Sequence, residues 1–517
     1  MTSTRNRHSR LCFARAFPDS IEAYRDAHAR LLNFAGDFRD IPDDSGIAGS
    51  TVYYRFSYEV ARWLAKRAPG EVSIDWDAID DTTRLDELLA QVLRPSEDEY
   101  FDSGYATSHE WIDMARGKST GTDFDWLMKQ IGDERRRPFW CQLYDAVDLP
   151  LAWDLSGSKY SKSANVLSTD PIFSRQSGMR PRPRAVSRAI KTPFESIEQL
   201  SAREGKRLID VAMASLAVRH RETNHFNYAN ANEVYLADVG QGIAIAVFGL
   251  LPEHRFPLEC TMGFLILSNG VPVGYGGSSI LFQQVNTGIN IFDEYRGSEA
   301  SFLWVQVMRV YHALAGCTRF IANVYQFGGE NTEALNSGAF WFYYRLGYRP
   351  VLAQVRKLAQ RESSRIKRDR KYRSDLKTLR KLTSCDMHLT LPGAKQSELF
   401  DEKWLITSSM LASRSLAAAE SGSREQSANR VAAQLARDID LRSLHRWSPQ
   451  ERHAFIRIAP IIAAVSPAKW PGDEKRGLRE LLRAKGGNDE ARYAMLLSKN
   501  DTLLKSLIKT CRRAESE

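Results

Sequence analysis

The chain has 517 residues, of which 43% are hydrophobic, 10% aromatic and 26% charged. These fractions exclude a largely disordered polypeptide, and at roughly 100–200 residues per domain the length predicts about three domains. No apolar run reaches about 18 residues, and the basic start, Met1 to Arg10, leads into no apolar stretch of about 7–15 residues, so neither a membrane span nor a secretory signal is expected. Six cysteines, far apart and without a Cys-x-x-Cys pair, predict free thiols in a reducing cytoplasm.

The charge is uneven. Seventy-two Lys and Arg against 63 Asp and Glu give +9. Residues 356–381 hold twelve Lys/Arg and three acids (Glu362, Asp369, Asp375), also +9, so the rest of the chain sums to zero. Residues 155–191 hold eight Lys/Arg and one acid, Asp170, a net +7. Two such segments on a balanced background suit phosphates or RNA; the plainer expectation is a solvated helix face and a mobile loop.

In chain order, residues 1–154 read as a helical region. Ser20 to Phe34 and Tyr53 to Lys66 carry apolar residues at helical spacing, and Asp81 to Leu93 is a short helix starting near Thr82 or Thr83. Trp63, Trp76, Trp111 and Trp126 are expected in the core. Residues 155–191 are rich in Ser, Arg and Pro and read as a basic loop or linker. Within it, Lys159-Tyr160-Ser161-Lys162-Ser163 is similar to the mobile ATP loop of class I aminoacyl-tRNA synthetases. The His-x-Gly-His loop that must accompany it is missing, so the likeness reads as coincidence.

From 192 to 395 the texture is mixed α and β. Helix at Phe194 to Arg221 precedes short β-rich runs, Glu233 to Asp238, Ile243 to Leu250, Thr261 to Leu267, Val271 to Phe282 and Thr287 to Phe292, with a hairpin signal at Asn269-Gly270. Then come a helix (Ala300 to Leu314), a strand (Arg319 to Val324), a helix (Thr332 to Leu346) stopped by Gly347, a strand (Tyr348 to Val351), a basic helical insert (353–382) and a last strand (Met387 to Leu391). Residues 396–517 read as a helical bundle with a linker near Ser421 to Ser427. The predicted class is α+β, a central mixed sheet flanked by helical regions.

Two segments of the central part resemble the GNAT superfamily of acyltransferases. Ile291-Phe292-Asp293-Glu294-Tyr295-Arg296-Gly297 ends a strand and runs into a helix, as the family's Pro-Glu-Tyr-Arg-Gly-like turn does. Asn336 to Tyr348 is similar to the family's Asn-x-x-Ala-x-x-Phe-Tyr-x-x-x-Gly-Phe run. The resemblance covers about Glu233 to Leu391 and implies roles residue by residue. Tyr343 would protonate the leaving thiolate, with Tyr344 its neighbouring rival. Asn336 would contact the pantetheine arm. Ile291 and the turn Arg296, Gly297, Ser298, Ala300 and Ser301 would cradle the pyrophosphate of acetyl-CoA or another acyl-CoA on backbone amides.

The departures are specific. Glu299 stands where the family loop has its first glycine; it adds bulk, and its charge suits a helix start well enough to fill the anion site itself. The fourth strand of the likeness, Leu281 to Phe292, brings no acid, which leaves His254, Glu259 and Asp293 as general-base candidates. No metal motif occurs, and His220 and His225 are spaced for neither i,i+3 nor i,i+4. The resemblance therefore implies transfer of an acyl group from a thioester to an amine-bearing small molecule or peptide, with no metal and no membrane. Alternatives are an aminoacyl-tRNA donor held by the basic segment 356–381, and a non-catalytic scaffold.

Overall fold

The computed structural model describes residues 4–516 except 103–105, 177, 298, 370, 395–398 and 420–421. The protein is a mixed α and β structure around one large mixed sheet.

The N-terminal region is helical as expected but also holds a small sheet. Strands β1 (Thr51–Arg55), β2 (Val72–Ile74) and β3 (Pro150–Asp154) pair antiparallel in the order β1–β3–β2. Val52 faces Trp153 across about a hundred residues of chain, and Val52, Val72, Leu151 and Trp153 are all buried. No local periodicity reports such a long-range pairing. The expected helix from Tyr53 accordingly divides: β1 ends at Arg55, Ser57 is extended, and the helix runs Tyr58–Arg67.

The large sheet contains β4 (Ile197–Gln199), β5 (Ala229–Gly240), β6 (Ile243–Leu250), β7 (Cys260–Ser268), β8 (Val271–Leu281), β9 (Gln284–Thr287), β10 (Asn290–Ile291), β11 (Arg319–Ala322), β12 (Arg349–Pro350) and β13 (Met387–Thr390). Its order is β12–β13–β11–β9–β8–β7–β6–β5–β4, with β10 also on β8. Strands β4 to β9 form an antiparallel meander, β11 joins parallel to β9, and β13 inserts between β11 and β12. A parallel neighbour requires a crossover, supplied by the helix Ala300–Ala315, which stops at left-handed Gly316.

The β7–β8 hairpin shows why its sequence matters. Asn269 (φ +47°) and Gly270 (φ +73°) take the two left-handed positions of a tight turn. A Cβ on Gly270 would sit 2.0 Å from the Leu167 carbonyl oxygen. The Asn269 amide group donates to the carbonyls of Ala16 and Phe173 and accepts from the Phe173 amide, so one turn residue docks both the first helix and the basic loop.

Two predicted helices are each broken in two. Gly338, left-handed at φ +67°, separates Thr332–Ser337 from Ala339–Arg345. The basic insert is two helices, Ala353–Arg368 and Leu376–Leu382. Buried Glu362 accepts from Arg365, Tyr372 and Ser374 and so shapes the intervening loop, and Asp375 caps the second helix. Ser423 caps a helix that begins at Arg424, inside the expected linker.

The C-terminal helices dock through the helix Glu490–Lys499, which packs on the crossover helix and on β6, β7 and β8. Four buried charges meet at this seam. Arg255 bonds Glu233 and forms an ion pair with Glu490 at 3.3 Å, while Lys485 lies 3.1 Å from Glu490. Arg255 also donates to the carbonyls of Leu250, Lys485 and Gly487, and the Glu490 amide donates to Glu233. Among the described residues, no helix is long and apolar enough to cross a membrane.

Removing one member of a buried ion group strands the others. Glu490→Ala is therefore expected to lower unfolding free energy by about 3–5 kcal/mol, read by urea denaturation; a loss below about 1 kcal/mol would mean that the group is solvated.

Candidate functional site

The first motif forms a continuous path. Residues β9 and β10 pair with β8 in a single register, from Leu281↔Gln284 through Ser278↔Thr287 to Tyr275↔Asn290 and Gly274↔Ile291. β11 accompanies β9 only from Gln284 to Asn286. Beyond that point β11 ends at Ala322 and turns away through Asn323 to Phe327, while β10 continues along β8. The two parallel neighbours thus part at Gly288 and Ile289.

Tyr343 reaches this parting. Its ring packs against Trp304, Phe327 and Tyr348. Burial pushes its hydroxyl well above the usual tyrosine value, with the nearby Ile289 backbone opposing, so the group stays protonated. Tyr344 instead packs on Phe340 and Trp341, with Arg349 over its ring. The rim carries amides that no sequence pattern marks. Asn323 lies 3.5 Å from Asn286, and Gln326 covers Gly288 so closely that a Cβ there would be 1.9 Å from its oxygen. Asp386 accepts from the Val324 amide, and burial raises its pKa.

After β10, Tyr295 is buried and Gly297 takes φ +87° with nothing within 4 Å of a would-be Cβ; the left-handed backbone, not crowding, calls for glycine. Ala300 and Ser301 form the first turn of the crossover helix; Ser298 lies outside the described residues. Exposed Arg296 bonds Glu333 at 2.6 Å, tying the turn to the helix that carries exposed Asn336 three residues on. The structure thus brings the turn, the Asn336 helix and Tyr343 to the same end of the crossover helix.

Glu299 departs from the sequence expectation. It is the N-cap residue of the crossover helix but makes no capping bond. Its fully buried carboxylate accepts from Arg180 (backbone 2.9 Å, Nε 2.9 Å, Nη2 2.7 Å) and from Arg175 (Nε 3.2 Å). Burial disfavours its charge, yet the bonds and charges of the two arginines outweigh this and hold its pKa low. So the glutamate does not fill the amide cradle of its own helix; it fastens the basic loop beside it. Arg182 bonds the Arg345 carbonyl and Lys191 that of Pro392, so the expected mobile loop is a strap bound along this face.

Glu294, one turn earlier, repeats the pattern. It pairs with Lys162 (3.1 Å) and Arg219 (3.3 Å) beside a cavity of about 90 Å³ that Asp44 and His220 also line. Burial opposes its ionisation, but Arg219 and Lys162 prevail and bring its pKa to about 2. Ser163 bonds His8 (2.9 Å) and, through its carbonyl, Arg15 (2.6 Å). The Lys162-Ser163 segment therefore anchors the first helix. Burial brings His8 to about 3.

The general-base candidates are dispersed. Asp293 is exposed and paired with Arg296, His254 stacks on Tyr228, and Glu259 accepts from Thr261. Among the described residues, no group of three or more His, Cys, Asp or Glu could hold a metal ion. No protein-family model matches the chain, and neither a curated protein nor a solved structure matches it.

Two outcomes follow. Glu299→Ala leaves Arg175 buried without a counter-charge and should cost about 3–5 kcal/mol. It should also speed tryptic cleavage after Arg175 and Arg184, the strap arginines nearby that are not followed by proline; an unchanged digest would show that the strap is held otherwise. Unfolded His8 takes a proton near pH 6.5 and folded His8 only near 3, so the unfolded state binds more protons between them. Stability is then full above pH 6.5 and falls as the pH drops, by about 2 kcal/mol from this group by pH 5. Glu294 adds a second loss from 4.5 toward 2. In urea melts from pH 8 to 5, His8→Gln should flatten the first limb.

Proposed function

We propose that the protein is a GNAT-like acyltransferase that moves an acyl group from an acyl-CoA thioester to an amine by direct attack. The observation that carries this reading is the buried Tyr343, packed between Trp304 of the crossover helix and Phe327 of the turn that follows β11, where the β9–β11 pairing ends. The strand order supports it: an antiparallel meander, a crossover helix entered through the Asp293–Gly297 turn, a parallel strand, and then the helix pair bearing Asn336 and Tyr343.

In this reading the free amine attacks the thioester carbonyl, a C–N bond forms, the C–S bond breaks, Tyr343 gives its proton to the departing thiolate, and the proton shed by the new amide nitrogen passes to water, which reprotonates Tyr343. A tyrosine kept neutral by burial suits that donation. The first amides of the crossover helix have no partner within their own helix, and left-handed Gly297 leaves the turn open, so Gly297, Ala300 and Ser301 fit a pyrophosphate. Arg180, partly exposed, adds positive charge there, and Asn336 faces solvent where a pantetheine arm would run. Asp386 sits at the rim with a raised pKa but has no shown contact with Tyr343.

The test is release of free CoA thiol from acetyl-CoA with a panel of amines and amine-terminated peptides. Tyr343→Phe should lower turnover by about 10²–10⁴ with an unchanged melting curve. Equal rates in both proteins would remove Tyr343 from the reaction, and no thiol release with any amine would remove the acyl-CoA reading.

A further inference from the structure

The two basic segments have similar composition and opposite fates. In the strap, Lys162, Arg175, Arg180, Arg182 and Lys191 are each bound inside the protein, to Glu294, to Glu299 or to backbone carbonyls. In the insert, Lys357, Arg361, Lys367, Arg368, Arg380 and Lys381 are exposed, and among the described residues their side chains have no ion pair or hydrogen bond.

Geometry orders these cations. On the helix Ala353–Arg368, Val355, Ala359 and Glu362 are buried and Ile366 is packed on the core, a stripe at i, i+4, i+7 and i+11. Lys357, Arg361 and Arg368 fall two positions after Val355, Ala359 and Ile366, about 200° around the helix, so they line the opposite, outward face, with Ser364 between Arg361 and Arg368. Lys357 and Arg361 stand about one 5.4 Å turn apart, and Arg361 and Arg368 about two. The insert's one buried acid, Glu362, is turned inward to hold Arg365, Tyr372 and Ser374, which fixes the loop and the second helix. The apolar stripe of this helix is used against the core, and the exposed apolar side chains near it, Val351, Leu352 and Leu376, sit at the starts of the two helices and form no stripe along the cationic face.

We propose that this helix pair is a binding surface for single-stranded RNA. An outward row of unpaired cations spread over about three helical turns fits a polyanion better than a single phosphate. An exposed aromatic stands near the entry of the first helix of the pair. Tyr325 is 55% exposed. Its neighbour Val324 donates to Asp386, whose carbonyl accepts from Val351, two residues before the helix Ala353–Arg368. An exposed aromatic beside a basic track suits the unstacked bases of a single strand. The second basic helix packs against the Thr332–Ser337 helix, so the surface adjoins the candidate site without depending on acyl transfer there.

The experiment is fluorescence anisotropy of a labelled 20-nucleotide single-stranded RNA with the full chain, from 50 to 200 mM KCl. Salt-dependent binding is expected. Combined Lys357→Gln, Arg361→Gln, Lys367→Gln and Arg368→Gln should flatten the log–log salt slope by about 0.7 per lost phosphate contact. Tyr325→Ala should weaken binding about 5- to 150-fold. All five residues are exposed, and circular dichroism checks that the variants fold. No binding at 50 mM KCl, or wild-type affinity in the quadruple variant, overturns the proposal. Equal competition by duplex DNA, polyglutamate or phosphatidylserine vesicles also overturns it, since the surface would then be merely cationic.

Discussion

A carboxylate taken out of water must bring its counter-charge with it, and this protein meets that condition at three seams. Glu299 joins the strap to the crossover helix, Glu294 joins the strap and Arg219 to the turn before that helix, and Glu233 with Glu490 joins the C-terminal helices to the sheet. In each case at least one acid and cation come from distant parts of the chain. The desolvation of such groups is costly, and attraction offsets it only with close geometry and further hydrogen bonds. The pairs thus fix where the flanking regions sit against the sheet more than they add stability, because a slipped arrangement would leave charges buried alone.

Local physics was readable in the residues themselves. Asn269-Gly270 announces a hairpin because its two left-handed positions are neighbours in sequence, and the β-rich runs around it fall on β5 to β10. The motif turn and the aromatic helix also stand where their patterns place them. What escaped a sequence reading depends on distance. β1 and β3 find each other over about a hundred residues, and their short lengths carry no period. Gly338 breaks a helix whose aromatic spacing reads as continuous, because a left-handed residue can end one helix and cap the next.

The candidate site divides in the same way. Tyr343 and the turn around Gly297 follow from pattern, whereas Gln326 over Gly288 and the arginines on Glu299 follow from packing alone. Glu299 is instructive. Helix-dipole reasoning points a glutamate at a helix start toward its own amides, yet two guanidinium groups offer a stronger, charge-assisted set of bonds and turn the side chain outward from that cradle. The helix start keeps its amides, and the positive charge that a phosphate would meet comes from the strap.

The spacing of these partners also sets an order of events during synthesis. Lys162 leaves the ribosome 132 residues before Glu294, about 7–26 s at roughly 5–20 residues per second. Arg255 precedes Lys485 and Glu490 by more than two hundred residues. The strap must therefore wait, solvated and cationic, until the turn and crossover helix exist. Glu233 and Arg255 wait longer still, until residues 485–490 emerge. The sheet can assemble its strands early, but its charged floor closes only once that helix start exists. A nascent chain stalled before Lys485 would present a finished hairpin meander above an open, water-filled seam.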